Sequence, residues 1–168
     1  MLVEPDIERD AQLGVEWLSG DLGRQTLRSM GVTDEHNQPT TLEQERERVR
    51  DFIEGTDQLN WMIEYDGRVV GSVWVDLTNA EYVPVPSIHI MIGDPSVRGK
   101  GVGFASTRAV VDHLRAQGNK TIYSRHLAHN QPAAKLLGDL GFVPLDEAYS
   151  DADGLNWQNV RLEARDRP

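Results

Sequence analysis

The sequence predicts a mixed α/β fold, a single domain over residues 1–168 in which helices flank a largely antiparallel sheet. Three observations carry that expectation. Apolar residues recur at helical spacing near the start of the chain and again after residue 102. Between residues 59 and 92 the period drops to two. Glycines, prolines and an Asp-Gly pair punctuate each change of period.

Taken in order, Ile7, Leu13, Trp17 and Leu18 fall at roughly helical intervals and predict a first helix, ended by Ser19-Gly20-Asp21. A second helix is marked by Thr40 and Thr41, each followed three residues on by Glu43 or Gln44 in the manner of a capping box, with Gly55 as its stop. Leu42, Val49, Phe52 and Ile53 share one face of it, and Glu43, Glu45, Arg46, Glu47, Arg48 and Arg50 are expected on a solvated remainder. Residues 59–65 and 68–77 are rich in Val, Trp, Ile and Tyr, and Asp66-Gly67 between them predicts a two-residue hairpin. A loop with Asn79, Pro84 and Pro86 leads into a third strand over residues 87–92. Helical spacing returns over 102–117, with Val102, Ala105, Ala109, Val110 and His113/Leu114 expected inward and Gly118 just past the end. A short strand at 120–126 and a helix at 130–140 follow, the latter with Pro132 in its first turn and Gly141 as its stop. Two last strands are predicted at 142–148 and 155–163, giving the order α-α-β-β-β-α-β-α-β-β. No internal repeat is visible.

Lys plus Arg total 17 against 27 Asp plus Glu, a formal charge of −10, so a surface built for nucleic acid or anionic membrane is excluded and a cationic partner suits better. Cysteine is absent, which removes disulfides, thiolate nucleophiles and Cys-ligated metals. No apolar run approaches the ~20 residues of a membrane span, and MLVEPDIERD lacks the basic and apolar stretches of a signal peptide. The expected compartment is the cytoplasm.

The sharpest local feature is Ile88-His89-Ile90-Met91-Ile92-Gly93-Asp94-Pro95-Ser96-Val97-Arg98-Gly99-Lys100-Gly101-Val102-Gly103, a strand feeding a glycine-rich turn that opens a long helix. Glycines permit positive φ and bare N–H groups, the helix start adds partial positive charge, and Arg98 and Lys100 supply cations: an anion seat suited to phosphate or pyrophosphate. A Walker loop is excluded because Gly101 and Val102, not Ser or Thr, follow Lys100. A dinucleotide fingerprint fails as well, since counts from Gly99 and Gly101 end on Phe104 and Ser106. Arg-x-x-Gly-x-Gly (Arg98, Gly101, Gly103) does fit.

That pattern, set after the hairpin and Ile-x-Ile-x-Ile-Gly-Asp-Pro, and before Asn130-x-x-Ala133-x-x-Leu136 closing in Gly141-Phe142, resembles the GNAT superfamily of N-acetyltransferases over about residues 59–142. The resemblance implies the GNAT fold, whose central sheet has splayed strands, with acetyl-CoA as co-substrate and no metal. It implies that backbone groups of Ile90, Met91 and Ile92 align the thioester and pantetheine arm, and that amides of Arg98, Gly99, Lys100, Gly101, Val102 and Gly103 hold the pyrophosphate. Asn130 would face the pantetheine or the transfer site, or serve as an ordinary helix N-cap.

Acyl transfer to an amine requires removal of the ammonium proton and benefits from protonation of the departing thiolate. The family's usual glutamate position falls on Ser87, which is no base at neutral pH. Two residues on, on the same face, His89 has the right chemistry, with a reference pKa of ~6.5; the other reading is a half-buried histidine bonded within the sheet. Glu64, Asp76 and Glu81 stand in reserve. The family's tyrosine acid falls on Leu137, leaving that role unassigned, with Tyr149 or Tyr123 available only if folding brings either near. His126 and His129 lack a third ligand for a metal. Trp17, Trp61, Trp74 and Trp157 read as core or cleft wall, Trp74 being best placed for the cleft.

The acceptor pocket implied by the resemblance is built from residues 20–39, 79–86 and 148–156, which carry Asp21, Asp34, Glu35, Glu81, Asp151 and Asp153. Such a mouth would attract a small-molecule or peptide amine, although a chain of charge −10 has acids everywhere. The resulting expectation is an acetyl-CoA-dependent N-acetyltransferase working by direct attack in a ternary complex. A non-catalytic acyl-CoA-binding regulatory module and a domain for another phosphorylated nucleotide are the rivals. Exposed sheet edges offer a route to a homodimer.

Overall fold

The structure is a computed structural model that describes residues 1–78 and 81–164; Asn79, which the predicted loop included, lies outside the described residues. Its strands are β1 (Leu2–Val3), β2 (Gln58–Tyr65), β3 (Arg68–Asp76), β4 (Ser87–Ile92), β5 (Thr121–Leu127), β6 (Val143–Pro144), β7 (Tyr149–Ser150) and β8 (Asn156–Glu163). The helices are α1 (Ile7–Leu18), α2 (Gly20–Ser29), α3 (Leu42–Glu54), α4 (Val102–Ala116) and α5 (Gln131–Asp139). They form one mixed sheet in the order β1-β2-β3-β4-β5-β8-β6, with β7 also pairing β8. Every pairing is antiparallel except β4 with β5.

The predicted hairpin is present, and both turn residues take the positive φ that a two-residue turn matched to strand twist needs: 52° at Asp66 and 72° at Gly67. The capping box of α3 forms on Thr41, whose Oγ accepts from the Gln44 N–H while Gln44 Oε1 accepts from the Thr41 N–H. One face of the sheet carries the main core, where Ile63, Val73 and Ile88 pack with Val110, Leu114 and Leu137 of α4 and α5. On the other face Met62 and Met91 pack against Trp17 and Leu18 of α1.

Four expectations are corrected. The break at Ser19 is a hinge one residue long, after which the chain re-enters helix as α2. Gly20 and Gly23 hid this helix from its sequence, yet Gly23 is there for packing: a Cβ would stand 2.3 Å from the Leu18 carbonyl oxygen. The charged face of α3 is not wholly solvated, because Glu45 is 3% exposed, accepts from Thr40 Oγ1 at 2.7 Å and pairs with Arg48. The inner stripe of α4 is Val102, Ser106, Thr107, Val110, Val111 and Leu114, with Ala105, Ala109 and His113 exposed. Finally, the strand expected over 142–148 shrinks to β6 and leads by a loop to β7; Pro144 has no N–H for the ladder, and regular pairing ends there.

Gly93, at the end of β4, lies under the indole of Trp17, and a Cβ there would stand 2.1 Å from its Cδ2. Gly93→Ala is expected to lift α1 off the sheet and lower the melting temperature by roughly 3–10 °C. Trp17→Leu in the same chain should recover part of that loss by opening the space. Calorimetry of the two variants checks this, and an unchanged transition in Gly93→Ala would refute the contact.

Candidate active site

β4 is paired to β3 along its whole length, from Ser87 opposite Asp76 to Ile92 opposite Gly71. To β5 it is paired at one position, Ser87 with Tyr123. Past that point the two strands part. The Ser124 hydroxyl donates to the Ile88 carbonyl at 2.7 Å in place of a backbone partner. The Gly93 N–H donates to Val70 O, and the antiparallel alternation therefore turns the main-chain groups of His89 and Met91 toward β3 and those of Ile88, Ile90 and Ile92 into the gap. Of the three residues expected to line up a pantetheine arm, Ile90 and Ile92 face the opening. Met91 does not: its backbone belongs to the β3 ladder and its side chain to the core beside Trp17.

The glycine turn lies at the mouth of this gap. Gly99 and Gly101 have φ of 75° and 79°, with no neighbour within 4 Å of where a Cβ would stand, so their main chain is bare on the outside. Gly101 is the N-cap of α4, whose first amides have no partner within the helix. Gly103 packs close across the gap, since a Cβ on it would be 2.9 Å from Leu136 Cδ1. Lys100 is exposed. Arg98 departs from expectation: its guanidinium donates to the Ile92 carbonyl and to Thr26 Oγ1, both at 2.9 Å, so the side chain is a strut between turn and α2 instead of a free cation.

Between β4 and β5 lies a cleft of about 350 Å³ lined by Trp74, Asp76, His89, His126, Asn130 and Leu137 among others. His89 Nε2 is 2.9 Å from Asp76 Oδ2 and 3.1 Å from Ser87 Oγ. Its ring stacks on the cross-strand partner Trp74, centroids 5.5 Å apart at 22°. Gln58 Nε2 holds the other Asp76 oxygen at 2.6 Å. Burial opposes the charge on Asp76, yet the His89 hydrogen bond and charge, the Gln58 amide and the Arg125 guanidinium outweigh it and hold the carboxyl below its ordinary value. Nε2 faces the carboxylate and Nδ1 has no partner among the described residues, so a ring that donates Nε2–H to Asp76 would turn a bare Nδ1 to the cleft.

The other candidates separate clearly. Glu64 sits on β2 beside β1, Glu81 beside Tyr82, and neither lines the cleft. Asn130 lines it, but its Oδ1 caps α5 at Ala133 N and its Nδ2 reaches Ser29 O, each at 3.2 Å. Leu137 is buried, and Tyr149 is drawn to Arg125, Tyr82 and Asn159 while Tyr123 does not line the cleft. Trp74 and Trp157 are walls of the cleft. His126 lines it from the face opposite His89, with Nδ1–H donating to Leu127 O at 2.8 Å. Sequence reasoning gave no role to Arg125, whose guanidinium lies 4.1 Å from the Trp157 ring centroid. Its signal is a cross-strand juxtaposition of β5 with β8, invisible before the register is known. Among the described residues no group of three or more His, Asp or Glu is arranged to hold a metal ion, and no helix is long and apolar enough to cross a membrane.

A sheet opened after one parallel pair, with a glycine turn and helix start at its mouth, is the architecture of an acyl-CoA N-acyltransferase fold. Residues 29–142 match the model of the acetyltransferase (GNAT) family, and the chain belongs to that family. It is similar to the mycothiol acetyltransferase of Thermomonospora curvata, 32% identical over 83 residues, which are 49% of this chain and 27% of that one. The chain thus spans about a quarter of the length of the curated relatives it matches. Its fold is that of aminoglycoside acetyltransferase AAC(6′)-Ib solved with coenzyme A, with 17% identity, a TM-score of 0.74 and coverage of 97% of this chain and 95% of that one. The spermidine N-acetyltransferase of Vibrio cholerae, solved with CoA and spermine, shares it at 15% identity and a TM-score of 0.73, covering 97% and 94%.

Because the folded-state pKa of Asp76 is depressed, its bonds stabilise the protein above the unfolded value of ~3.9 and that contribution is lost as pH falls through the folded value. Asp76→Asn should therefore be less stable than wild type near pH 7 and lose less on acidification below about pH 4. Urea midpoints from neutral to acid pH test this; parallel curves for the two proteins would contradict it.

Proposed function

We propose that this chain is an acetyl-CoA-dependent N-acetyltransferase that passes an acetyl group directly to a primary amine within a ternary complex. The observation that carries the reading is the His89–Asp76 pair set at the throat of the β4–β5 gap, behind the bare glycine turn. The amides of Gly99, Gly101, Val102 and Gly103 suit a pyrophosphate, whereas those of Arg98 and Lys100 already donate to the carbonyls of Pro95 and Val97 at 3.3 Å, and the main-chain groups of Ile90 with the Ile92 N–H, turned into the gap, suit the amide-bearing arm that follows it. Coenzyme A complexes of the AAC(6′)-Ib and spermidine enzymes support this choice of donor.

His89 Nδ1 takes the proton of the attacking amine, and Asp76, bonded at Nε2, fixes the tautomer and stabilises the imidazolium that results. The new C–N bond forms as the C–S bond breaks, and the sulfur leaves as a thiolate that must gain a proton. Leu137 cannot give one. That proton comes from the His89 imidazolium formed in the attack or from water. Asn130 holds α5 to the end of α2 and so keeps the wall of the cleft in place. One amine and one thioester are consumed, one amide and one thiol are formed.

The buried Leu137 favours a second reading, a module that binds acyl-CoA without turnover. Acetyl-CoA should raise the melting temperature in both cases while ATP and NAD do not, and equal responses to all three would remove both readings. Release of free thiol with an amine panel separates them, and a flat result across the panel would leave the binding module. His89→Ala should cut turnover by about 10²-fold or more with acetyl-CoA binding retained. A rate and pH profile equal to wild type would remove His89 from the mechanism.

A further inference from the structure

Resting on the acetyltransferase reading above, we infer that the acceptor is a monoamine with a flat apolar body and a hydrogen-bond-accepting oxygen at the end remote from the amine. It occupies a slot of about 250 Å³ beside the sheet face that carries His89. Trp74 and Met30 line both this slot and the catalytic cleft, so the slot opens on the reacting end. Gln58, which also lines it, is bonded to Asp76. The walls are Trp17, Met30, Phe52, Met62, Trp74 and Met91. They offer faces for a ring and nothing for a string of ammonium groups. The volume falls below the ~300–1,000 Å³ of pockets for drug-sized ligands, which suits a single ring and not an oligosaccharide.

The charges agree. Two carboxylates, Asp10 and Asp76, and two guanidiniums, Arg48 and Arg125, line slot and cleft together. Asp10 is already paired with Arg9 at 2.6 Å. Three of the six acids expected to form an anionic mouth are occupied as well: Asp21 by Arg24, Asp34 by Arg28, and Asp151 by the Trp157 indole N–H at 2.7 Å. What lacks an acceptor is Arg48. Arg48 pairs with Glu45 through Nη2, but its Nε–H is buried without a partner. Phe52 lies beside the same guanidinium, its centroid 5.9 Å away. The guanidinium side chain is 41% exposed, so on ligand entry it can turn to bring that enclosed donor to a ligand oxygen, while the ring rests on Phe52 and Trp74 and the amine stays near His89.

Four probes decide the matter in the full chain: tyramine, 2-phenylethylamine, spermidine and kanamycin. Tyramine should show the highest kcat/KM, about tenfold above 2-phenylethylamine, as expected for a hydrogen bond to a charged donor. Replacing both members of the pair, Arg48→Met with Glu45→Gln, should bring that ratio close to one while acetyl-CoA still raises the melting temperature. Phe52→Ala should depress both aromatic amines roughly tenfold or more. Faster turnover of spermidine or kanamycin than of either aromatic amine overturns the inference and leaves the acetyltransferase reading intact, as does a ratio that ignores Arg48. Should all four amines be inert while acetyl-CoA still binds, the acetyltransferase reading falls and takes this inference with it.

Discussion

The parting of β4 from β5 is the constraint on which the rest of the molecule depends. A parallel pair inside a sheet ordinarily satisfies main-chain groups along its length, and here the ladder lasts for one residue pair. Groups freed beyond it must meet other partners. Ile88 finds the Ser124 hydroxyl and Ile92 finds Arg98, which leaves Ile90 turned toward open space. The gap persists because both sides are held apart by other structure: β4 is fully zipped to β3, and β5 to β8 over seven pairs. Neither strand can drift to close it without breaking a longer ladder.

Chemistry on the sheet face that carries His89 follows from the strand period of two. Ser87, His89 and Met91 share one face, and the antiparallel register puts Asp76 opposite Ser87 and Trp74 opposite His89. A carboxylate, a hydroxyl and an aromatic face thus converge on one imidazole without help from any loop. Rigid strands hold the pair, which is the arrangement that lets a base act without reorganising first.

Much of this was legible in the sequence, and the reasons are local. Asp66-Gly67, the Thr41 capping box and the glycine turn each rest on a few neighbouring residues whose conformational demands override their surroundings. His89 was legible as a candidate for the same reason, being two residues from Ser87 on a strand of clear period. What escaped were features made by distant segments. The helix α2 carries two glycines, Gly20 and Gly23, and is held by packing against Leu18. Glu45 looked like one more surface charge until Gly14 of α1 made room for it, a Cβ on Gly14 standing 2.2 Å from Glu45 Oε2. Arg98 reads as a phosphate-seeking cation in any linear motif, and only the position of Thr26, 72 residues away, shows where its bonds are spent.

That strut has a mechanical meaning. At one end of α2 Thr26 receives Arg98 from the glycine turn, and three residues later the carbonyl of Ser29 receives the Asn130 amide from the start of α5. One short helix therefore bridges the two rims of the gap from above, like a crossbar tied to both posts. The two rims are thus tied to each other through side-chain bonds to one helix as well as through the sheet beneath.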